Sequence, residues 1–417
     1  MVKKIAAFAA IVAILGAISN RAHASGFALP EEDITAMGMA NAFSAQADNP
    51  SANWYNPAAL VWLEGNQVQI GEVFIDPQAS HTYTQNGASK TDSSASVWRG
   101  QPDAYFSHKI NADFAFGFGI TAPFGLSTNW DTNSVASSEA TYSNLKVLNY
   151  DLNGAYKVND KLSVALGFDV ATIDAWLYNM VPGTNNTIQA QITGNGKGVG
   201  FNAAVAYKAT EDLNFAASYR SREKMSIYGT LTTLGALNSS GDADTSLTLP
   251  DMFTAGASYK ATPKLRVNAD FNYTGWSSYD DLDIHSNNAA FNQYILQGAA
   301  TSIDQIRDWS NVCAIRLGGE YAVTDALKAR IGWVYDATPL SGDRFEPRIP
   351  DSNRIGYAGG ASYTVKAWTF NAAYMYMRMN DRLVGNSMGG GSTVDTNLDG
   401  DWSMYAHLIG IGASYKF

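Results

Sequence analysis

The sequence predicts an all-β chain: a transmembrane antiparallel β-barrel of about 14 strands with an N-terminal luminal hatch, or plug. Three observations lead there. A short apolar segment near the N-terminus has the form of an export signal. No later stretch is long and apolar enough to suggest a membrane-spanning helix. From about residue 66 to the last residue, segments alternate apolar and polar side chains.

Lys3 and Lys4 precede an apolar run from Ile5 to Ile18, and Ala22-His23-Ala24 places small residues where a signal peptidase reads them. The run falls short of the roughly 20 residues a spanning helix needs. Residues 1–24 are therefore expected to be a signal peptide, cleaved after Ala24, with the mature chain starting at Ser25. The full chain carries a net charge of −10, and loss of Lys3, Lys4 and Arg21 makes it −13. Such a polyanion is a poor partner for nucleic acid. Cys313 is the single cysteine, so no intrachain disulfide can brace the exported chain. A closed barrel does not need one, because every backbone group pairs within the wall. The 22 Tyr, 18 Phe and 10 Trp would supply aromatic girdles where that wall meets water.

Leu265 to Tyr273 gives the clearest strand. Leu265, Val267, Ala269, Phe271 and Tyr273 share one side, opposite Arg266, Asn268, Asp270 and Asn272. The pattern repeats, with strands expected to start near Gln67, Arg99, Asp113, Tyr142, Lys161, Gly196, Leu213, Leu247, Lys264, Trp309, Leu327, Arg354, Ala367 and Ser403. Short turns such as Asn159-Asp160 and Thr262-Pro263 are expected on the periplasmic side. Ser277 to Asp308 and Asn380 to Trp402 are expected as long external loops, the first carrying the solvated acids Asp280, Asp281 and Asp283. The last strand ends on Tyr415 and Phe417, a terminal aromatic pattern resembling the signal read by barrel assembly machinery. Residues 25–66 do not alternate. Ile34 to Phe43 is expected as a short helix, and the whole segment as a plug in the lumen of a barrel formed by residues 67–417.

Several short motifs point further. The N-terminal block contains Ser25-Gly26-Phe27, Gly38-Met39-Ala40-Asn41-Ala42-Phe43 and Tyr55-Asn56-Pro57-Ala58-Ala59-Leu60. Downstream come Ala122-Pro123-Phe124-Gly125-Leu126, Tyr219-Arg220-Ser221, Leu249-Pro250-Asp251 and Trp276-Ser277-Ser278-Tyr279. Tyr335-Asp336-Ala337-Thr338-Pro339 and Ile349-Pro350-Asp351-Ser352-Asn353-Arg354 complete the series. In this order, over the whole mature chain, they resemble the FadL-type outer-membrane transporters of long-chain fatty acids and aromatic hydrocarbons. The resemblance implies a Gram-negative outer membrane, a hatch with the Asn56-Pro57-Ala58 motif, and a kinked third strand through which cargo leaves sideways.

Gly117, Gly119, Pro123 and Gly125 fit such a kink, since Pro cannot donate to the ladder and Gly weakens it. Asn56-Pro57-Ala58 is expected nearby, supplying partners to the interrupted wall. A fatty-acid cargo calls for a cation, for which Arg220, Arg222, Lys224 and Arg307 are the candidates. Asp336, Asp351 and Arg354 are expected to form a luminal polar network.

A general diffusion porin would leave residues 25–65 without a purpose. The five histidines are scattered, and no nucleophile–base grouping, zinc spacing or phosphate loop accompanies them. The expectation is a non-enzymatic monomer without metal or cofactor, whose partners are outer-membrane lipid and lipopolysaccharide, the assembly machinery and a hydrophobic small molecule. Long-chain fatty acids are the first expectation for that molecule and monoaromatic hydrocarbons the second.

Overall fold

The computed structural model describes residues 26–298, 300–391 and 394–417. The expected signal peptide and its cleavage site lie outside the described residues. The first wall strand, β1, is Asn66–Gln85. Next come β2 (Ala88–Ser93 and Arg99–Lys109), β3 (Phe114–Asn129), β4 (Tyr142–Lys157), β5 (Leu162–Met180) and β6 (Ile188–Lys208). Then follow β7 (Leu213–Arg220 and Glu223–Gly235), β8 (Ser239–Leu249 and Met252–Lys260), β9 (Leu265–Thr274 and Asp281–Ser286) and β10 (Ser302–Ile306 and Val312–Ala322). The wall ends with β11 (Leu327–Asp336), β12 (Arg354–Val365), β13 (Trp368–Met379 and Arg382–Val384) and β14 (Gly400–Lys416). All neighbours are antiparallel, and β14 returns to pair with β1 from Gln67↔Lys416 to Thr82↔Asp401. The sheet thus closes on itself into a barrel.

The alternation has the expected physical result. In β4, Ser143, Leu145, Val147, Asn149, Asp151 and Asn153 are buried in the lumen, while Leu152 and Tyr156 are exposed on the outer face. Four strands start well before the sequence pattern does: β2 at Ala88 instead of Arg99, β6 at Ile188 instead of Gly196, β8 at Ser239 instead of Leu247, and β10 at Ser302 instead of Trp309. Their extra residues are rich in Thr, Ser, Gln and Asp. Above the bilayer the outward positions turn polar, as at Gln189, Gln191 and Thr193, while Ile188, Ala190 and Ala243 stay buried inside, so the outer apolar row that marks a wall strand is missing. For the same reason, the expected loop from Ser277 to Asp308 contains two strand segments and a helix, Ala289–Tyr294. Asp281 and Asp283 are exposed on one of those segments.

The hatch threads through the lumen. Its first helix, α1 (Ile34–Met37), is much shorter than the expected Ile34–Phe43. Ala40 and Asn41 take positive φ angles of 51° and 63°, which ends any helix there. A second helix, α2 (Ala52–Tyr55), leads into a 3-10 helix at Pro57–Trp62. Asn56 caps the latter, its side chain accepting from the Ala58 N–H at 3.1 Å. Pro57 occupies the first turn, where a missing N–H costs nothing. The motif is thus a compact helix start. It docks on β5 and β6 through Ser163 Oγ to Ala58 O (2.7 Å) and Asn56 Nδ2 to Val205 O (3.2 Å).

Opposite, the hatch presses on glycines. A Cβ on Gly332 would lie 2.2 Å from the Met39 carbonyl carbon, and one on Gly360 would lie 3.0 Å from Gly38 Cα. On β9, Asp270 accepts the N–H groups of Phe43 (3.1 Å) and Ser44 (2.9 Å). These contacts fix residues 38–62 of the hatch to the wall on two sides.

Candidate substrate route through the barrel wall

The wall is interrupted between β2 and β3. Their ladder runs from Lys109↔Ala115 only as far as Ala104↔Ile120, although both strands continue. On the other side of β3, pairing with β4 slips between Thr121 and Phe124, so Ala122 and Pro123 bulge. Pro123 has no N–H to give, which makes this the natural place for the ladder to fail.

Gly117 and Gly119 are not part of the kink. Both sit in the regular ladder, opposite Ser107 and Tyr105. Their missing side chains make room for the hatch: a Cβ on Gly117 would fall 2.3 Å from Asn53 Oδ1 and 2.8 Å from Leu60 Cδ1. Nor does Asn56-Pro57-Ala58 supply the interrupted strand. The first residues of the hatch do so. Leu29 N donates to Pro123 O (2.8 Å), Gly125 N donates to Phe27 O (3.0 Å), and Ala28 bridges Phe124. Glu32 spans the break itself, accepting from Gln101 Nε2 of β2 (3.0 Å) and from Ala122 N of β3 (3.1 Å). Tyr105 Oη donates to the Glu32 carbonyl at 2.6 Å. An open edge facing lipid is expensive, and residues 27–32 offset that cost from inside.

Burial pushes the Glu32 carboxyl up to about 8, against the pull of its hydrogen bonds from Ala122 and Gln101 and with a further push from Glu31. A raised acid favours the docked hatch while it holds its proton, and that contribution is lost as pH rises through about 8. Protease access to residues 26–33 is expected to increase as pH rises from about 4.5 to about 8 and to level off above that. In Glu32→Gln the same assay is expected to show no step, and an unchanged step would rule Glu32 out as its source.

A cavity of about 390 Å³ opens at the break. Phe124, Leu145, Met377 and Met404 line it from the lumen, whereas Gly100 and Lys146 line it from the outer side of the wall. It therefore crosses the barrel wall. A second, smaller pocket of about 60 Å³ lies deeper, among Leu126, Leu177, Ile192 and Leu282. Phe27 and Arg348 border both. Phe27 is 3% exposed and held in an aromatic box, with ring centroids 4.6 Å from Trp276, 5.7 Å from Tyr279, 5.8 Å from Trp309 and 6.0 Å from Phe124.

Comparison with known proteins identifies the family and the fold. Residues 15–417 match the family model described as outer membrane protein transport protein (OMPP1/FadL/TodX). The chain belongs to this family. It is 25% identical to the long-chain fatty acid transport protein of Escherichia coli K12 over 404 residues, covering 85% of this chain and 87% of that one. Outer membrane protein P1 of Haemophilus influenzae is also 25% identical, over 95% of this chain and 96% of its own length. Among solved structures, a Pseudomonas aeruginosa FadL homologue superimposes with a TM-score of 0.81 at 19% identity, covering 94% of this chain and all of that one. The Pseudomonas putida toluene transporter TodX gives 0.72 at 18% identity, covering 94% and 99%. The OMPP1/FadL/TodX family is one of outer-membrane transport proteins, and the closed barrel described above is its fold.

Within this FadL-type barrel the four candidate cations separate. Arg220 is clamped between Asp151 (2.6 Å) and Asp169 and stacks on Trp54, its guanidinium carbon 3.9 Å from the ring centroid. It borders a different cavity of about 80 Å³ with a mixed polar and apolar lining. Arg222 pairs with Asp251 at 2.8 Å and is half-exposed. Lys224 is exposed, on the side of β7 away from buried Met225. Of the four, Arg307 reaches the inner apolar pocket, where it pairs with Glu346 at 2.5 Å. The structure adds Arg348. It is 5% exposed, and it donates to the Glu139 carbonyl (2.5 Å) and to Ser143 Oγ (3.3 Å), both neutral, while its Nε has no partner. Burial pushes its guanidinium below the usual arginine range, with Glu346 opposing.

Asp351 and Arg354 meet at 3.3 Å, and Arg354 also donates to the Gly26 carbonyl at the start of the hatch. Asp336 faces Arg354 in the β11–β12 register and lies 3.7 Å from Arg316. These luminal charges anchor the hatch.

Proposed function

We propose that this protein takes up long-chain fatty acids or similar hydrophobic molecules across the outer membrane by passive diffusion, and that cargo leaves sideways through the break between β2 and β3. The observation that carries this reading is the apolar cavity that crosses the wall at the break, with buried Arg348 at its inner end. Cargo would pass from the inner pocket into this cavity when Phe27 withdraws. Hydrocarbon transfer into water costs about 0.8 kcal/mol per methylene, so a chain of roughly sixteen carbons faces a barrier on the order of 10 kcal/mol in an aqueous channel. A route from apolar pocket to bilayer avoids that barrier. Arg348, with its unpartnered Nε, supplies the charge-assisted donor that a carboxylate head needs.

Delipidated protein in detergent, titrated in parallel with palmitate, methyl palmitate and toluene, tests the reading. Palmitate binding that weakens on esterification is the expected result. Toluene binding with indifference to the carboxylate would move the protein to aromatic hydrocarbons. Binding of none of the three would overturn hydrophobic uptake.

A further inference from the structure

The cavity changes character as it crosses the wall. Inside it is apolar around Phe124, Met377 and Met404; Lys146 on β4 stands at its outer mouth, and Arg99, which starts on the lumen-facing side of β2 with Gln101 and Asp103, reaches into the break. Arg99 Nε donates to Ser127 Oγ at 3.0 Å, so the guanidinium reaches across the break to a neutral hydroxyl. None of the ion pairs among the described residues involves Arg99 or Lys146. Acids flank the mouth without pairing with either cation: Asp174 faces Lys146 in the β4–β5 register, and Glu72 lies over Gly100 within electrostatic reach of Lys146, while Glu31 and Asp351 line the cavity from the lumen.

The level of the mouth is informative. On the outer face of β4, the row Leu148, Tyr150, Leu152 and Tyr156 gives way to Lys146 and then Asn144. On β5 the row Leu166, Phe168 and Val170 gives way to Thr172 and Asp174. Lys146 is thus the first charge beyond the apolar band, where hydrocarbon meets the headgroup zone. A basic side chain deeper in the band would cost roughly 2–4 kcal/mol, whereas here it can stay hydrated.

Resting on the fatty-acid reading above, we propose that Arg99 and Lys146 form a second anion subsite at the outer mouth of the lateral opening. It receives the carboxylate head of a departing amphiphile and holds it at the interface while the tail passes into the hydrocarbon below. A carboxylate drawn into the bilayer without a partner would pay a large desolvation cost. Two cations at the exit let the head move from Arg348 to the interface without that step. A neutral hydrocarbon gains nothing from them.

The test separates binding from release. The full-length chain is reconstituted in phosphatidylcholine vesicles as parent and as the double variant Arg99→Gln, Lys146→Gln. Detergent titration with palmitate reports the inner pocket, and transfer of pre-bound palmitate or methyl palmitate into the vesicle bilayer reports the exit. Heat-modifiable migration on gels checks that the barrel has folded, and Lys146→Gln alone serves if the double variant fails this check. The expected result is palmitate affinity within about threefold of the parent, palmitate transfer slowed at least tenfold, and methyl palmitate transfer unchanged. Equal slowing of acid and ester, or no slowing of either, would overturn the subsite. No palmitate binding by the parent would overturn the uptake reading instead.

Discussion

Replacing Arg348 with Met is expected to weaken palmitate binding by roughly ten- to a hundred-fold while leaving toluene or methyl palmitate binding unchanged. A hydrogen bond to a charged group contributes about 1.5–3 kcal/mol, and every 1.4 kcal/mol is a factor of ten. Arg348 is buried at the point shared by both cavities, and its own partners are a carbonyl and a hydroxyl. Arg307 is the poorer head-group contact, because Glu346 neutralises it at 2.5 Å and Gln305 also accepts from it. Arg348→Lys keeps the charge without the planar fork and should fall between parent and Arg348→Met. The pH profile adds an independent reading. Burial, reinforced by Glu346, pushes the Glu139 carboxyl up to about 7. Above that pH Glu139 ionises and adds a negative charge beside Arg348, so palmitate affinity should fall as pH rises through about 7 and stay level in Glu139→Gln. Equal losses for acid and ester in Arg348→Met would remove Arg348 from the head-group role.

The largest stability effect is expected at Arg220. Its partners Asp151 and Asp169 have side chains 0% and 2% exposed, so Arg220→Met strands two carboxylates in the lumen. Breaking a buried pair in this way costs about 3–5 kcal/mol. The urea midpoint of the detergent-folded barrel should drop accordingly, and adding Asp151→Asn and Asp169→Asn should restore most of it. A single variant as stable as the parent would show that the triad contributes nothing net. Loss of fatty-acid affinity without loss of stability would return Arg220 to the list of head-group contacts.

Much of this architecture could be read from the chain alone, and the limits have physical causes. The alternation in Leu265–Tyr273 and its repeats gave most strand starts to within a residue or two, because lipid on one face and lumen on the other impose period two. Where the outer face leaves the lipid and turns polar, at Ile188–Asn195 and Ser239–Ser246, half of that constraint is lost, and the inward row of Ile188, Ala190 and Ala243 is too sparse to mark a strand. Pro123 marked the break because a missing N–H is a local property. Gly117 and Gly119 misled because a glycine that bends a strand and one that admits a neighbour look identical in sequence; Asn53 and Leu60 make the difference. Arg348 was passed over because it lies in an irregular stretch, Phe345-Glu346-Pro347-Arg348-Ile349-Pro350, with no period to place it. The two flanking prolines, which stiffen a loop, were the available hint.

The way the hatch is fastened bears on which solutes stay out. Residues 38–62 are wedged against glycines of β11 and β12 on one side and hydrogen-bonded to β5 and β6 on the other. The segment that covers the break is only Phe27 to Glu32. Withdrawing Phe27 would join two oily compartments while the rest of the stopper stays seated. Oil and water would then have separate doors, and only the first would open. On the uptake reading proposed above, water-soluble solutes would find the lumen still stoppered while Phe27 moves.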